Sequence, residues 1–115
     1  MLAPETEIIV SKDGSEISRT TIRPGEYLIG READCQIQVD VEKVSRIHAK
    51  LTVNFDHAVI EDLGSRNGTF VNDKPVNAPA RLWPNQKIRI GFATIELRRI
   101  KTEPGPDDSL APIRP

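Results

Sequence analysis

Turn-forming residues recur roughly every ten positions along this chain, and the apolar residues between them come in short runs or strict alternation. No stretch repeats its apolar residues at the spacing of a helix face. Asp13-Gly14, Pro24-Gly25, Asn72 to Pro75 and Gly91 mark the breaks. Between them, residues 7–12, 17–22, 27–29, 36–39, 58–63, 69–71, 87–90 and 93–100 read as strands. The clearest strand is 47–53, where Ile47, Ala49, Leu51 and Val53 alternate with His48, Lys50 and Thr52, so the first set should face a core. Residues 77–86, with Pro79, Pro84 and Asn85, read as a loop, and Trp83 within it as a plug over a sheet edge. The pattern predicts an all-β, antiparallel β-sandwich.

A chain of 115 residues makes one domain with a core of useful size. Residues 1–100 carry the strand pattern. From Lys101 the composition turns to proline, glycine and aspartate, so 101–115 reads as a disordered linker to a further domain if the chain is longer. The formal net charge of −1 draws the molecule as a whole neither to nucleic acid nor to an anionic membrane, so any anion site must be local. Cys35, the single cysteine, has no internal disulfide partner and no metal-ligand spacing around it. No metal or cofactor is expected. The acidic start lacks a signal peptide's basic and apolar regions, which points to the reducing cytosol.

The chemistry concentrates in short segments. Gly30-Arg31 closes a strand, where a glycine lets another backbone come close and the arginine projects into a loop. Ser45 and Arg46 stand at the tip of the next loop. Asp62 to Phe70 then holds Gly64, Ser65, Arg66, Asn67, Gly68 and Thr69. Asn67-Gly68 favours a tight turn, and the serine hydroxyl, the guanidinium and the amide suit an anion or a visiting peptide backbone.

In order and spacing, Gly30-Arg31, Ser45-Arg46-Ile47-His48 and Asn67-Gly68 resemble the Gly-Arg, Ser-x-x-His and Asn-Gly pattern of forkhead-associated (FHA) domains. The resemblance covers about residues 6–100. It implies an eleven-stranded, FHA/SMAD-like sandwich that binds phosphothreonine peptides through loops at one end. By that resemblance Arg31 and Ser45 would hold the phosphate, and Arg46 would add a donor or reach later peptide residues. Arg66 would lie beside the phosphothreonine, and Asn67 would pair with the peptide main chain. Gly30, His48, Gly64, Ser65, Gly68 and Thr69 would support the site. The implied partners are a phosphothreonine-containing protein and the Ser/Thr kinase that modifies it.

Other readings compete. Ser45, His48 and Asp62 are the residue types of a hydrolytic triad, but Ser45 and His48, three apart on one strand, would face opposite ways. A phosphate-independent interaction or dimerisation module is a second alternative. Thr6 and Thr102 are candidate self-ligands once phosphorylated.

Overall fold

The computed structural model describes residues 5–83 and 86–100, the last two by their backbone alone. The segment 101–115, with Thr102, lies outside the described residues, as does Asn85. Among the described residues eleven strands form two sheets and there is no helix. One sheet runs β2 (Ser15–Ile22), β1 (Glu5–Lys12), β11 (Ala93–Ile100), β10 (Lys87–Ile90), β7 (Thr69–Val71), β8 (Lys74–Pro75). The other runs β4 (Ile37–Gln38), β3 (Gly25–Gly30), β5 (Ala49–Val53), β6 (Ala58–Asp62), β9 (Ala80–Leu82). Neighbours pair antiparallel except β3 and β4, where Ile29 and Gly30 lie parallel to Ile37 and Gln38. The expected all-β sandwich is the fold observed.

Period-two burial makes the core. Ile29, Leu51 and Ile60 from one sheet meet Ile8, Ile88, Ile90 and Ile95 from the other, and all are buried. Fully burying each such side chain is worth about 1.5–3 kcal/mol. Strand β6 belongs to one sheet and β7 to the other, so the stretch between them crosses the edge of the sandwich. That crossing carries the Asn67-Gly68 turn.

The structure departs from the sequence pattern in three places. The alternation of β5 does not extend back to Ile47, which is exposed, whereas His48 beside it is wholly buried. The strand begins at Ala49, and although the His48 main chain still bonds Ile29 and Leu63 on either side, its ring turns inward onto two backbone groups described below. Residues 77–86 are not all loop: β9 pairs with β6 through Ala80, Arg81 and Leu82. Trp83 follows β9 at the sheet edge but is 55 % exposed, with the Arg81 guanidinium 4.4 Å over its ring, so it is no plug.

Thr6 is buried in β1 between β2 and β11. Its Oγ1 is the one buried side-chain polar atom without a hydrogen-bond partner among the described residues. This closes Thr6 to phosphorylation in the folded domain.

Two stability predictions arise. Leu51→Ala should lower unfolding free energy by about 2–5 kcal/mol in a urea titration. Thr6→Val removes an unsatisfied hydroxyl and should leave stability unchanged or raise it by about 1 kcal/mol.

Candidate functional site

Three loops meet at the end of the sandwich where β3 stops and β5 and β7 start. The first contact is backbone to backbone. Arg31 N–H donates to the Ser45 carbonyl at 3.0 Å, and Glu32 N–H to the Arg46 carbonyl at 3.2 Å. Gly30 makes this approach possible, because a Cβ there would collide with the Arg46 carbonyl. The glycine expected to admit a neighbouring backbone does so, and Arg31 is carried to the loop mouth.

His48 joins the second loop to the third. Its Nδ1 accepts from Ser45 N–H at 3.0 Å, so Nε2 carries the proton and donates to the Gly68 carbonyl at 2.8 Å. The Ser45 hydroxyl accepts from Arg66 N–H at 3.0 Å. Asn67 Nδ2 donates to the Lys43 carbonyl at 3.0 Å. Side chains and main chain of the second and third loops are thus mutually bonded.

Asp62, at the end of β6, organises the third loop. Its Oδ1 accepts from the Ser65 and Thr69 hydroxyls, each at 2.6 Å. Its Oδ2 accepts from Gly64 and Ser65 N–H at 3.0 and 3.1 Å. The Ser65 hydroxyl in turn accepts from Gly68 N–H at 2.9 Å. Gly68 sits at φ 86°, a left-handed conformation natural to glycine. Burial opposes ionisation of Asp62, but the Ser65 and Thr69 hydrogen bonds outweigh it and hold the carboxyl below its usual range. Sequence reasoning named Asp62 only as a triad candidate. The signal for its actual role was an acid three residues before a serine, the spacing of a side-chain-capped turn.

The three loops enclose an open cavity of about 440 Å³. Arg31, Ser45, Arg46, Arg66 and Asn67 all line it, together with Lys43 and Val44. Every binding residue expected from the sequence is brought together, while Gly30, His48, Gly64, Ser65, Gly68 and Thr69 lie outside the lining. Lys43 was not foreseen; the visible clue was a basic residue two positions before Ser45. Four cationic side chains and no carboxylate line the cavity, which suits a small, multiply charged anion.

A smaller cavity of about 170 Å³ lies by the β5–β6 turn, beside Thr6, His57, Leu82 and Trp83, and includes none of these groups.

The hydrolytic arrangement is not formed. Ser45 and His48 both precede β5 rather than lying on one strand, so the two do approach. But the imidazole bonds the Ser45 main chain and the Gly68 carbonyl, and the Asp62 oxygens bond the third loop.

The FHA domain family model matches residues 27–91. The FHA domain-containing protein FhaB of Mycobacterium tuberculosis is 32 % identical over 91 residues, covering 79 % of this chain and 59 % of FhaB. The chain thus spans about three-fifths of that relative's length. A solved structure from a study of phosphothreonine-dependent FHA domain interactions superposes with a TM-score of 0.73 at 33 % identity, covering 82 % of this chain and 95 % of that one. The FhaA FHA domain, solved in complex with the intracellular domain of Rv3910, gives a TM-score of 0.72 at 33 % identity, covering 81 % and 99 %.

The depressed Asp62 carboxyl predicts an acid dependence. Its stabilising contribution is complete above the unfolded-state value, about 3.9, and fades as pH falls through the lower folded-state value. Asp62→Asn should lower stability at neutral pH and shrink the difference from wild type at the acid end, read from urea midpoints between pH 7 and pH 2.

Proposed function

We propose, given that the chain belongs to the FHA domain family, that its three-loop cavity binds phosphothreonine peptides and couples this protein to a partner modified by a Ser/Thr kinase. The observation that carries the reading is the set of cations around Ser45, held by bonded loops and free of carboxylates.

A phosphate monoester brings a charge of about −1.5 to −2 and three strong acceptors. Arg31 offers a planar fork of donors to it. The Ser45 oxygen accepts from Arg66 N–H, which leaves its own O–H to donate to a phosphate oxygen. Arg46 supplies further donors from the next position, and Arg66 lies alongside. Asn67 has one N–H engaged by Lys43, so its Oδ1 is the atom to accept from a peptide N–H. Gly30, His48, Gly64, Ser65, Gly68 and Thr69 hold these groups in place. Threonine is preferred over serine through its extra methyl, worth roughly 0.8 kcal/mol from burial alone.

The role is that of a non-catalytic adaptor in a reducing cytosol. Burial pushes the Cys35 thiol above its usual range, which keeps it unreactive there.

Calorimetric titration of one peptide with and without the phosphate tests the reading. Wild type should bind only the phosphorylated form. Arg31→Ala should weaken that binding by about 2–5 kcal/mol with the far-ultraviolet spectrum unchanged. Equal affinity for the two peptide forms would instead identify a phosphate-independent interaction surface.

A further inference from the structure

The two sheets part at the end of the sandwich away from the three loops, where β5 runs out at Val53. Thr6 and Leu97 from one sheet and Ala58 and Leu82 from the other, all buried, floor the cavity of about 170 Å³ beside the β5–β6 turn. Phe55 and Trp83 stand at its rim. They are the two most exposed of the large hydrophobic side chains among the described residues, at 65 % and 55 %. Two such rings beside one apolar floor make a patch rather than scattered single residues. The rim is also fixed in shape. Asn54 Nδ2 donates to His57 Nε2 at 3.1 Å, and His57 Nδ1 donates to Asp56 Oδ1 at 2.7 Å. Trp83 N–H donates to the Gln86 side chain at 2.7 Å, and its carbonyl accepts from Gln86 N–H at 3.2 Å. The Arg81 guanidinium covers the Trp83 ring. The volume suits one compact side chain, since a cavity of roughly 150 Å³ holds a benzene ring.

The chain brings its own apolar segment to this end. Thr6 pairs with Arg99 and Glu5 with Ile100, so residue 101 follows directly from a wall of the cavity. Fifteen residues, 101–115, continue from there. Residues 101–109 are polar, charged, proline or glycine, and the only branched apolar side chains of the segment are Leu110 and Ile113. Pro112 and Pro115 favour extended backbone in the residues before them. In a polyproline helix, with three residues per turn, Leu110 and Ile113 share one side. Asp107 and Asp108 precede that pair and Arg114 follows it. Beside the cavity stand the opposite charges, Arg81 over Trp83 and Asp56 next to Phe55. From Ile100 to Leu110 the chain spans at most about 36 Å, enough to double back over the turn.

We infer that this cavity is a docking site for residues 110–113 of the same chain, which fold back and seat Leu110 on its floor. Leu110 enters beside Trp83, with Asp107 or Asp108 meeting Arg81. Ile113 then lies against Phe55, and Arg114 meets Asp56. Aromatic rings around a groove suit a proline-containing extended segment, which has little conformational freedom left to lose. The contact need not be strong by itself, because a short tether presents the segment at an effective concentration on the order of millimolar. Docked in this way, the segment covers the end of the core. It also holds Thr102 at the far end of β5 from Ser45, out of reach of the three-loop cavity of its own chain.

Trp83 is the single tryptophan of the chain, so its fluorescence reads the cavity without a label. In the full chain, Leu110→Ser combined with Ile113→Ser should raise acrylamide quenching of Trp83 about twofold, as a tethered contact is released. Isotope-labelled wild type should show nuclear Overhauser contacts between the Trp83 indole and the Leu110 and Ile113 methyls. Asp107→Asn combined with Asp108→Asn should raise quenching by a smaller step, and no rise there overturns the pairing with Arg81. Equal quenching in wild type and the serine variant overturns the inference, as does a rise without the methyl contacts. Contacts that disappear on dilution, with a dimer in sedimentation at high concentration, overturn docking within one chain and give the cavity to the segment of a second copy. Methyl contacts to the rings of Phe70 or Phe92 would carry the segment to the three-loop end and overturn the inference as well.

Discussion

The imidazole of His48 carries the architecture of the end where the three loops meet. Buried between the loops, it takes a hydrogen bond from Ser45 N–H and gives one to the Gly68 carbonyl. Those two backbone groups belong to segments twenty-three residues apart and to chain entering different sheets. Without a side chain able both to accept and to donate, one of the two would be left unsatisfied in the interior, at a cost of about 1–3 kcal/mol. No aliphatic residue can serve there, and the ring's rigidity fixes the separation of the loops. The Ser45 hydroxyl and the Arg66 amide meet because that separation is fixed.

Around this bridge most of the hydrogen bonds join a main-chain group to a side chain of Ser45, Asp62, Ser65 or Asn67. Gly30 lets the first loop lie against the second, and Asp62 pulls the third into a closed turn. The cations themselves make no ion pairs among the described residues. Mutual repulsion of such groups is tolerable because they are exposed to water and the scaffold beneath is fully bonded. A bound anion would convert that tension into attraction.

How much of this could be read from residues alone depended on periodicity. Strands with clean alternation, such as β5 and β10, were legible, because one face of each is buried. β9 was not, because three residues flanked by Pro79 and Trp83 are too few to show a period and owe their place to pairing with β6. Ile47 and His48 misled for the opposite reason. Hydrophobicity assigns isoleucine to the core, but two hydrogen bonds decide the contest for histidine. The cavity-lining residues Arg31, Ser45, Arg46, Arg66 and Asn67 were legible as motif positions in separate loops. Lys43 was not, since no motif marks it and only the folded loop brings it to the cavity wall.

The outer strands of the sandwich have a further consequence. Glu5 pairs with Ile100, while Lys12 pairs with Ala93 beside the turn that touches Lys43. The first and last described residues therefore lie side by side, about 25 Å along the strands from the three-loop end. A unit with that geometry can be spliced into the surface loop of another protein, or tethered from either side, without the host crossing the end where the three loops meet.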